Sequence, residues 1–266
     1  MLILIVPAAI ALFPLLALLL ASLKPTTELM RFGLNLQLQP ELLSIDNYLF
    51  LFTEGSIYFR WFFNSLLVSF FTTVLALFFS SLVGYSIAMY DFKGKGIVFL
   101  LVLVVMMVPF EILMLPLFNL MSFLGLINSY TGVVLPMIVY PLAVFFFRQY
   151  SLGLPKELMD AARIDGSTEY GIFFKIMAPL MTPAYGTMAI LIAMFSWNNF
   201  LWPLIVLRTT DMATLPIGLA GLLSPYGNNY DILISGSIIT VLPIIIVFLF
   251  AQKYFISGIT AGGVKG

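Results

Sequence analysis

Long runs without a charged side chain alternate along this chain with short stretches that carry most of the polar residues. Six apolar runs, at about residues 1–21, 61–89, 97–118, 131–147, 184–207 and 236–251, predict membrane-spanning helices, since roughly 20 apolar residues at 1.5 Å each cross about 30 Å of hydrocarbon. The first run has no basic leader and no obvious small-residue cleavage site, and further spans follow it. That pattern predicts an uncleaved helix rather than a signal peptide. Prolines 7, 14, 109, 116, 136, 141, 203 and 243 fall inside or at the edge of the runs, where bundle neighbours satisfy the backbone groups that proline frees. The expected fold is all-α: a single integral-membrane domain over 1–266 with six helices.

The segments between the runs differ in charge. Lys93, Lys95, Arg148, Lys156, Arg163, Lys175, Lys253 and Lys265 belong to 91–96, 148–183 and 252–266, whereas Lys24, Arg31, Arg60 and Arg208 are spread over the remaining loops. The positive-inside rule then places the first group and both termini in the cytoplasm. The long segments 22–60 and 208–235 face outward, and the apolar piece at 215–223 predicts that the second folds back against something. A loop without Lys or Arg is predicted over 119–130, and a tight turn over 91–96.

Charge is most concentrated in the loop between the fourth and fifth runs, 148–183. Pro155 suits a first helical position, and Glu157 and Asp160 lie in early turns where the helix dipole favours anions. Leu158, Ala161 and Ala162 recur at i, i+3 and i+4, opposite Lys156, Glu157, Asp160 and Arg163. Gly166 supplies a left-handed residue to end this helix over 155–165. Ser167 or Thr168 caps a second helix through Ile176, which Pro179 and Pro183 break or kink. Two readings fit: a docking helix whose small residues let another surface approach, or a membrane-surface helix joining two spans.

Polar residues inside the runs are few. Asn64 and Ser65 predict helix-to-helix hydrogen bonding in the bundle ahead of direct substrate contact. A lone carboxylate at membrane depth, Glu111, must face a cavity, a polar partner or the water boundary. Its place just after Pro109, late in the run, favours the boundary over a pathway. Met106, Met107 and Met114 read as adaptable packing. Trp197, Asn198, Asn199, Phe200 and Trp202 read as an interfacial belt ahead of a sugar-stacking platform.

Composition agrees with the pattern: 62% of residues are hydrophobic, 9% are charged and the net charge is zero, with a mean hydropathy of +1.10. There is no cysteine or histidine. Disulfides, thiolate and imidazole catalysis and the usual zinc sites are thereby excluded, and no paired carboxylates inside the runs point to an enzyme.

Asp160-Ala161-Ala162-Arg163-Ile164-Asp165-Gly166, followed by Phe174, Pro179-Leu180 and Pro183, resembles the EAA loop of permease subunits of bacterial ATP-binding-cassette importers, with Asp160 where that family carries Glu. Ser22 to Pro25, Trp61 to Ser65, Gly125 to Asn128, Trp197 to Phe200 and the ending Gly258 to Gly266 are similar to the carbohydrate branch, in particular the shorter permease partner of maltose and oligosaccharide systems. The resemblance implies a prokaryotic cytoplasmic-membrane assembly with a second permease, two ATPase subunits and an extracellular solute-binding protein. The chain has no G-x-x-x-x-G-K-[ST] segment, so the resemblance implies ATP-Mg on the partner ATPases, with no cofactor, metal or nucleic acid on this chain. It casts Glu157, Asp160 and Asp165 as polar contacts to an ATPase, Ala161 and Ala162 as close-approach residues, Arg163 as part of the docking patch and Gly166 as the turn. It brings Lys265 against the ATPases and 208–235 towards the binding protein. Asn64, Glu111, Asn198 and Asn199 are the expected pathway or polar-core residues. Glycerol phosphate, polyol or other small-solute import fits the same family. An ATP-independent secondary transporter would need ionisable groups near the midplane, where only Glu111 qualifies.

Overall fold

The computed structural model describes residues 2–33, 36–37, 39–53, 57–224, 227–228 and 230–263, and the side chains among them apart from those of 2–4, 26, 29–30, 224, 227–228, 231 and 251–263. Four helices among these residues are long and apolar enough to cross a membrane, or up to six if each of two bent pairs counts as one span. Leu2–Ser22 keeps Pro7 and Pro14 within one helix. Tyr58–Met89 and Tyr230–Gly263 run uninterrupted, the latter through Pro243. Apart from a two-stranded ladder pairing Leu223 with Asn228 and Ser224 with Gly227, the described residues are helical or irregular.

Proline placement decides where the other predicted runs break. The predicted run 97–118 is two helices, Lys95–Met107 and Phe110–Phe123, bent by 105° where Pro109 cannot donate to the ladder. Pro116 sits inside the second helix without ending it. That helix also continues to Phe123, so the loop expected from 119 starts later than the pattern predicts. Its end is a glycine cap: Gly125, at φ 69°, lets Leu126 N–H reach the Met121 carbonyl at 2.8 Å. Further on, Tyr130–Val134 and Pro141–Ser151 flank a 3-10 turn over Leu135–Met137. Buried Ser80 compensates for this interruption by accepting the Tyr140 N–H at 2.9 Å.

The chain divides into two compact units, Met1–Ser65 with Thr209–Ile246 and Leu66–Arg208 with Val247–Gly266. In the first unit, polar side chains tie loops to helix ends. Asn47 Nδ2 donates to the carbonyls of Ser22 and Lys24, each at 2.9 Å, and the buried Lys24 ammonium donates to the Gln37 carbonyl at 2.6 Å. The Asn64 amide spans the carbonyls of Asp211 and Ala213, each at 2.8 Å, while Ser65 Oγ accepts the Leu215 N–H. Asn64 thus holds a returning loop. The apolar piece at 215–223 does fold back: Leu215–Gly221 is a helix, and its Gly218 lies so close to the Trp61 ring that a Cβ would stand 2.1 Å from it. Replacing Asn64 with leucine strands two carbonyls, at about 1–3 kcal/mol. Hydrogen exchange should speed up over 211–218 and stay unchanged in Phe110–Phe123.

In the second unit, the core gathers Tyr85, Ala143, Phe147, Met159, Ala162, Ile172, Phe173, Met177, Met181 and Met188. Trp197 and Trp202 are 4% and 0% exposed. Trp202 donates to the Val133 carbonyl and meets Phe110 edge-on. The belt expected from these tryptophans is therefore corrected: both rings are buried within the protein, and that of Trp202 has its hydrogen-bond partner there.

Candidate functional site: the 157–180 loop and a broken-helix cavity

The charged loop folds into two helices around a tight reversal. The first is Glu157–Ile164, shorter than the predicted 155–165, with Lys156 as its cap and Pro155 before it. It ends at Gly166, whose φ of 79° few side chains tolerate. The Ser167 N–H bonds the Ala162 carbonyl and the Gly166 N–H the Arg163 carbonyl, a Schellman reversal. Thr168 then caps the next helix by accepting the Gly171 N–H at 3.1 Å. That helix runs from Glu169 to Leu180 through a π-turn at Phe173–Met177 and past the predicted end at Ile176. It meets Thr182–Trp197 at a 77° bend, so the break falls at Met181, between Pro179 and Pro183.

The two sides of Glu157–Ile164 differ from the expected arrangement. Met159 and Ala162 are 2% and 5% exposed and belong to the core, while Leu158 and Ile164 are 39% and 87% exposed, with Ala161 also outward. Ala162 therefore packs the helix onto its own chain, and its small size brings the helix backbone close to that core. The outward surface consists of Glu157, Leu158, Asp160, Ala161, Arg163, Ile164 and Asp165.

Arg163 joins the two helices. Its guanidinium takes Asp160 at 2.9 Å and both oxygens of Glu169, at 2.8 and 3.2 Å, a fork-to-carboxylate pairing that fixes direction as well as distance. Tyr90, just past the end of the Tyr58–Met89 helix, donates its hydroxyl to Glu169 Oε2 at 2.6 Å, and Tyr85 beside it contacts the Met159 sulfur. The Arg163 and Tyr90 hydrogen bonds hold the Glu169 carboxyl below its ordinary value of 4.5. Burial and the neighbouring carboxylate push the Tyr90 hydroxyl up, so it stays a donor. A depressed carboxylate stabilises the loop above its unfolded pKa, and that contribution disappears as pH falls through the folded value. Amide-exchange protection at 166–172, corrected for intrinsic rates, should therefore hold from about pH 7 to about pH 5 and fail only below the usual carboxylate range.

Nothing in the local sequence marks Tyr90, Met159 or Glu169 as site residues. Tyr90 and Glu169 are 79 positions apart, and no local pattern joins them; the aromatic directly before Asp91 at the end of an apolar run was the one available sign.

The second feature is a cavity of about 440 Å³ lined by Thr72, Phe110, Glu111, Ser196, Asn198, Asn199 and Phe200 among others. Glu111 occupies the first turn of Phe110–Phe123, directly after the 105° break, and also borders a second hollow of about 480 Å³ with Phe118 and Arg208. The structure brings the exposed Glu111 together with Asn198 and Asn199 in the lining of one cavity. Asn64 is in the first unit, and Lys265 lies outside the described residues.

Helices broken beside a mainly apolar cavity with a few polar side chains, together with a charged loop clamped to the core, fit a membrane transport subunit. Residues 76–260 match the family model "Binding-protein-dependent transport system inner membrane component", and the chain belongs to that family. It is 68% identical over 96% of its length, and 91% of the relative's, to the arabinooligosaccharides transport system permease protein AraQ of Bacillus subtilis (strain 168). The AraQ protein of Halalkalibacterium halodurans is 65% identical over 97% of this chain and 93% of its own. The lactose transport system permease protein LacG of Rhizobium radiobacter is 41% identical, covering 77% of this chain and 74% of its own. The fold matches a chain of a bacterial ABC transporter involved in the import of the acidic polysaccharide alginate, with TM-score 0.80, 21% identity and coverage of 96% and 94%.

Proposed function

We propose that this chain is a permease subunit of an ATP-driven importer for arabinose-containing oligosaccharides. The observation that carries the reading is the 68% identity to AraQ over 96% of the chain. In this reading the two bent helix pairs are spans, giving six, and the loop 148–183 lies between the fourth and fifth on the cytoplasmic side with both termini. The distribution of Lys and Arg supports that orientation.

Function then requires a second permease, two ATPase subunits that hold ATP-Mg, and an external binding protein, with this chain holding no cofactor. Glu157, Asp160, Ala161, Arg163, Asp165 and Gly166 form or shape the surface that seats in an ATPase cleft, and Ala162 supports it from beneath. Closure of the ATPases draws the docking helices together and rocks the permease halves from inward-open to outward-open. The external protein delivers the sugar, with 208–235 reaching towards it, and hydrolysis resets the cycle. The tail near Lys265 lies against the ATPases.

The test is uptake of labelled arabinotriose in a Bacillus subtilis strain whose AraQ is replaced by this chain. Restored uptake that stops when cellular ATP is depleted supports the reading. Uptake of lactose or glycerol phosphate in its place, or uptake that persists without nucleotide, rejects it.

A further inference from the structure

We propose that Arg148, with Lys95 one helical turn away, seats the phosphate of an anionic phospholipid from the inner leaflet, whose acyl chains lie along Lys95–Met107. The inference rests on the cytoplasmic placement of 91–96 and 148–183 read from the distribution of Lys and Arg, and adds to it a lipid partner.

Arg148 lies in the last turn of Pro141–Ser151. Its guanidinium stands over the Phe99 ring, 3.8 Å from the centroid, and Phe145, one turn earlier on the same helix, stacks on that ring at 6.2 Å. The cation–π contact holds the guanidinium against Lys95–Met107 but gives its five N–H groups no acceptor. Among the described residues the Arg148 side chain makes no hydrogen bond or ion pair. Its Nε is buried in that state, whereas the two terminal nitrogens remain open to the surroundings. Arg163 and Lys95, by contrast, each have a carboxylate partner.

The surrounding charge favours an anion. Lys95 occupies the first turn of its helix, four positions before Phe99 and therefore on the same face. Its ammonium holds Asp91 at 3.1 Å. The Asp91 carboxyl lies below its ordinary value because Lys95 bonds it and Lys156 adds a second positive charge, so Lys156 belongs to the same region. Lys93 lies in the turn itself. Even with Glu157 next to Lys156 in the sequence, cations outnumber carboxylates here. Basic pockets of this kind between helices on the cytoplasmic side attract anionic headgroups, and a guanidinium fork matches two phosphate oxygens at once.

The apolar side of the argument comes from Lys95–Met107, which has no buried residue. Ile97, Leu100, Leu101 and Val104 are exposed and form an apolar track leading away from the cations. An occupant of this face must present an anion beside Arg148 and hydrocarbon beside Leu100 and Val104. A single phospholipid does both.

Native mass spectrometry of the full-length chain, purified with its partner subunits and titrated with dioleoyl phosphatidylglycerol or dioleoyl phosphatidylcholine, tests this. Wild type should retain phosphatidylglycerol in preference to phosphatidylcholine. Arg148→Gln should weaken that retention about tenfold, the loss of a charged hydrogen bond. Arg148→Lys should recover part of it, since a point charge lacks the fork. Lys175→Gln removes the same charge elsewhere in the charged loop and should bind as wild type. Should Arg148→Gln fail to assemble, Lys95→Gln carries the test through a several-fold loss. Equal retention of the two lipids, no retained lipid in the assembled complex because a second permease covers this face, an equal loss in Lys175→Gln, or Arg148 and Lys95 variants indistinguishable from wild type would overturn the seat. Failure of the orientation is separate. The chain has no cysteine, so a Lys93→Cys variant should be labelled only from the cytoplasmic face of oriented vesicles; labelling from the outside alone would reject the inner-leaflet placement whatever the lipid titration gives.

Discussion

Valine in place of Gly84 is expected to lower the unfolding midpoint of the purified chain by on the order of 10 °C and to reduce its yield in membranes. Gly84 lies in the Tyr58–Met89 helix where that helix touches Pro141–Ser151, and an added Cβ would stand 2.7 Å from the Val144 carbonyl oxygen, 2.8 Å from Phe147 Cβ and 2.9 Å from the Arg148 N. Two of the three are backbone atoms, so rotamer changes cannot relieve the clash, and the helices must separate. Small residues at helix contacts in membranes allow this close approach, and packing provides most of the association there. Overpacking of this kind costs about 3 kcal/mol, and in a chain of this size each kcal/mol moves the midpoint by about 2–4 °C. Alanine should have the same sign and a smaller effect. Gly96→Ala is the control, since nothing lies within 4 Å of its added Cβ. A Gly84→Val chain that melts with wild type would show that the two helices do not touch at this position.

The sequence made the helical class, the six apolar runs and the charged loop legible for a common reason: each is written in neighbouring residues. Hydrocarbon demands continuous apolar runs, and Gly166 and Thr168 act on their own turns through φ and a capping hydroxyl. What stayed hidden depends on partners far along the chain. The i, i+3, i+4 spacing of Leu158, Ala161 and Ala162 marks a small apolar face, but Met159 and Ala162 are the residues buried, because Tyr85 from a distant helix and Ile172 from the next one cover that side. Asn64 reads equally well as a bundle residue until the 211–215 loop returns to it. Trp197 and Trp202 carry the composition of an interfacial belt, yet the ring of Trp202 finds its acceptor at Val133, 69 positions away. Glu111 shows the same limit: Pro109 marks the break, while only the fold shows that the helix turns sharply enough to put the carboxyl beside Asn198 and Asn199.

Replacing Arg163 with alanine is expected to separate ATP hydrolysis from transport, with sugar uptake per ATP hydrolysed falling at least tenfold in proteoliposomes that hold the complete importer. On the proposed reading, the ATPases push on the outward face of Glu157–Ile164, and that push must reach the spans without the eight-residue helix swivelling on its turn. Three connections resist the swivel: the buried Met159 and Ala162 contacts, the Gly166 reversal, and the chain from Asp160 through Arg163 and Glu169 to Tyr90. The last joins the docking helix through directional polar bonds both to the helix that follows it and to Tyr90 at the end of Tyr58–Met89, where the buried Met159 and Ala162 contacts are apolar and less directional. Its ion pairs are exposed, with Arg163 at 40% and Glu169 at 49%, so they add little to global stability, and the variant should melt close to wild type. A change in coupling without a change in melting is therefore the signature of a geometric role. Arg163→Lys should recover only part of the coupling, because a point charge cannot reproduce the two-pronged pairing. Tyr90→Phe should fall between the two by removing one bond to Glu169. Gly166→Val tests the reversal by a different route: at φ 79° a β-branched residue is strained by about 1–2 kcal/mol, and the helix should fray from its carboxyl end with the same loss of uptake per ATP. If Arg163→Ala moves as much sugar per ATP as wild type, the push travels through the buried Met159 and Ala162 contacts alone, and the exposed chain of ion pairs has no part in transmitting it.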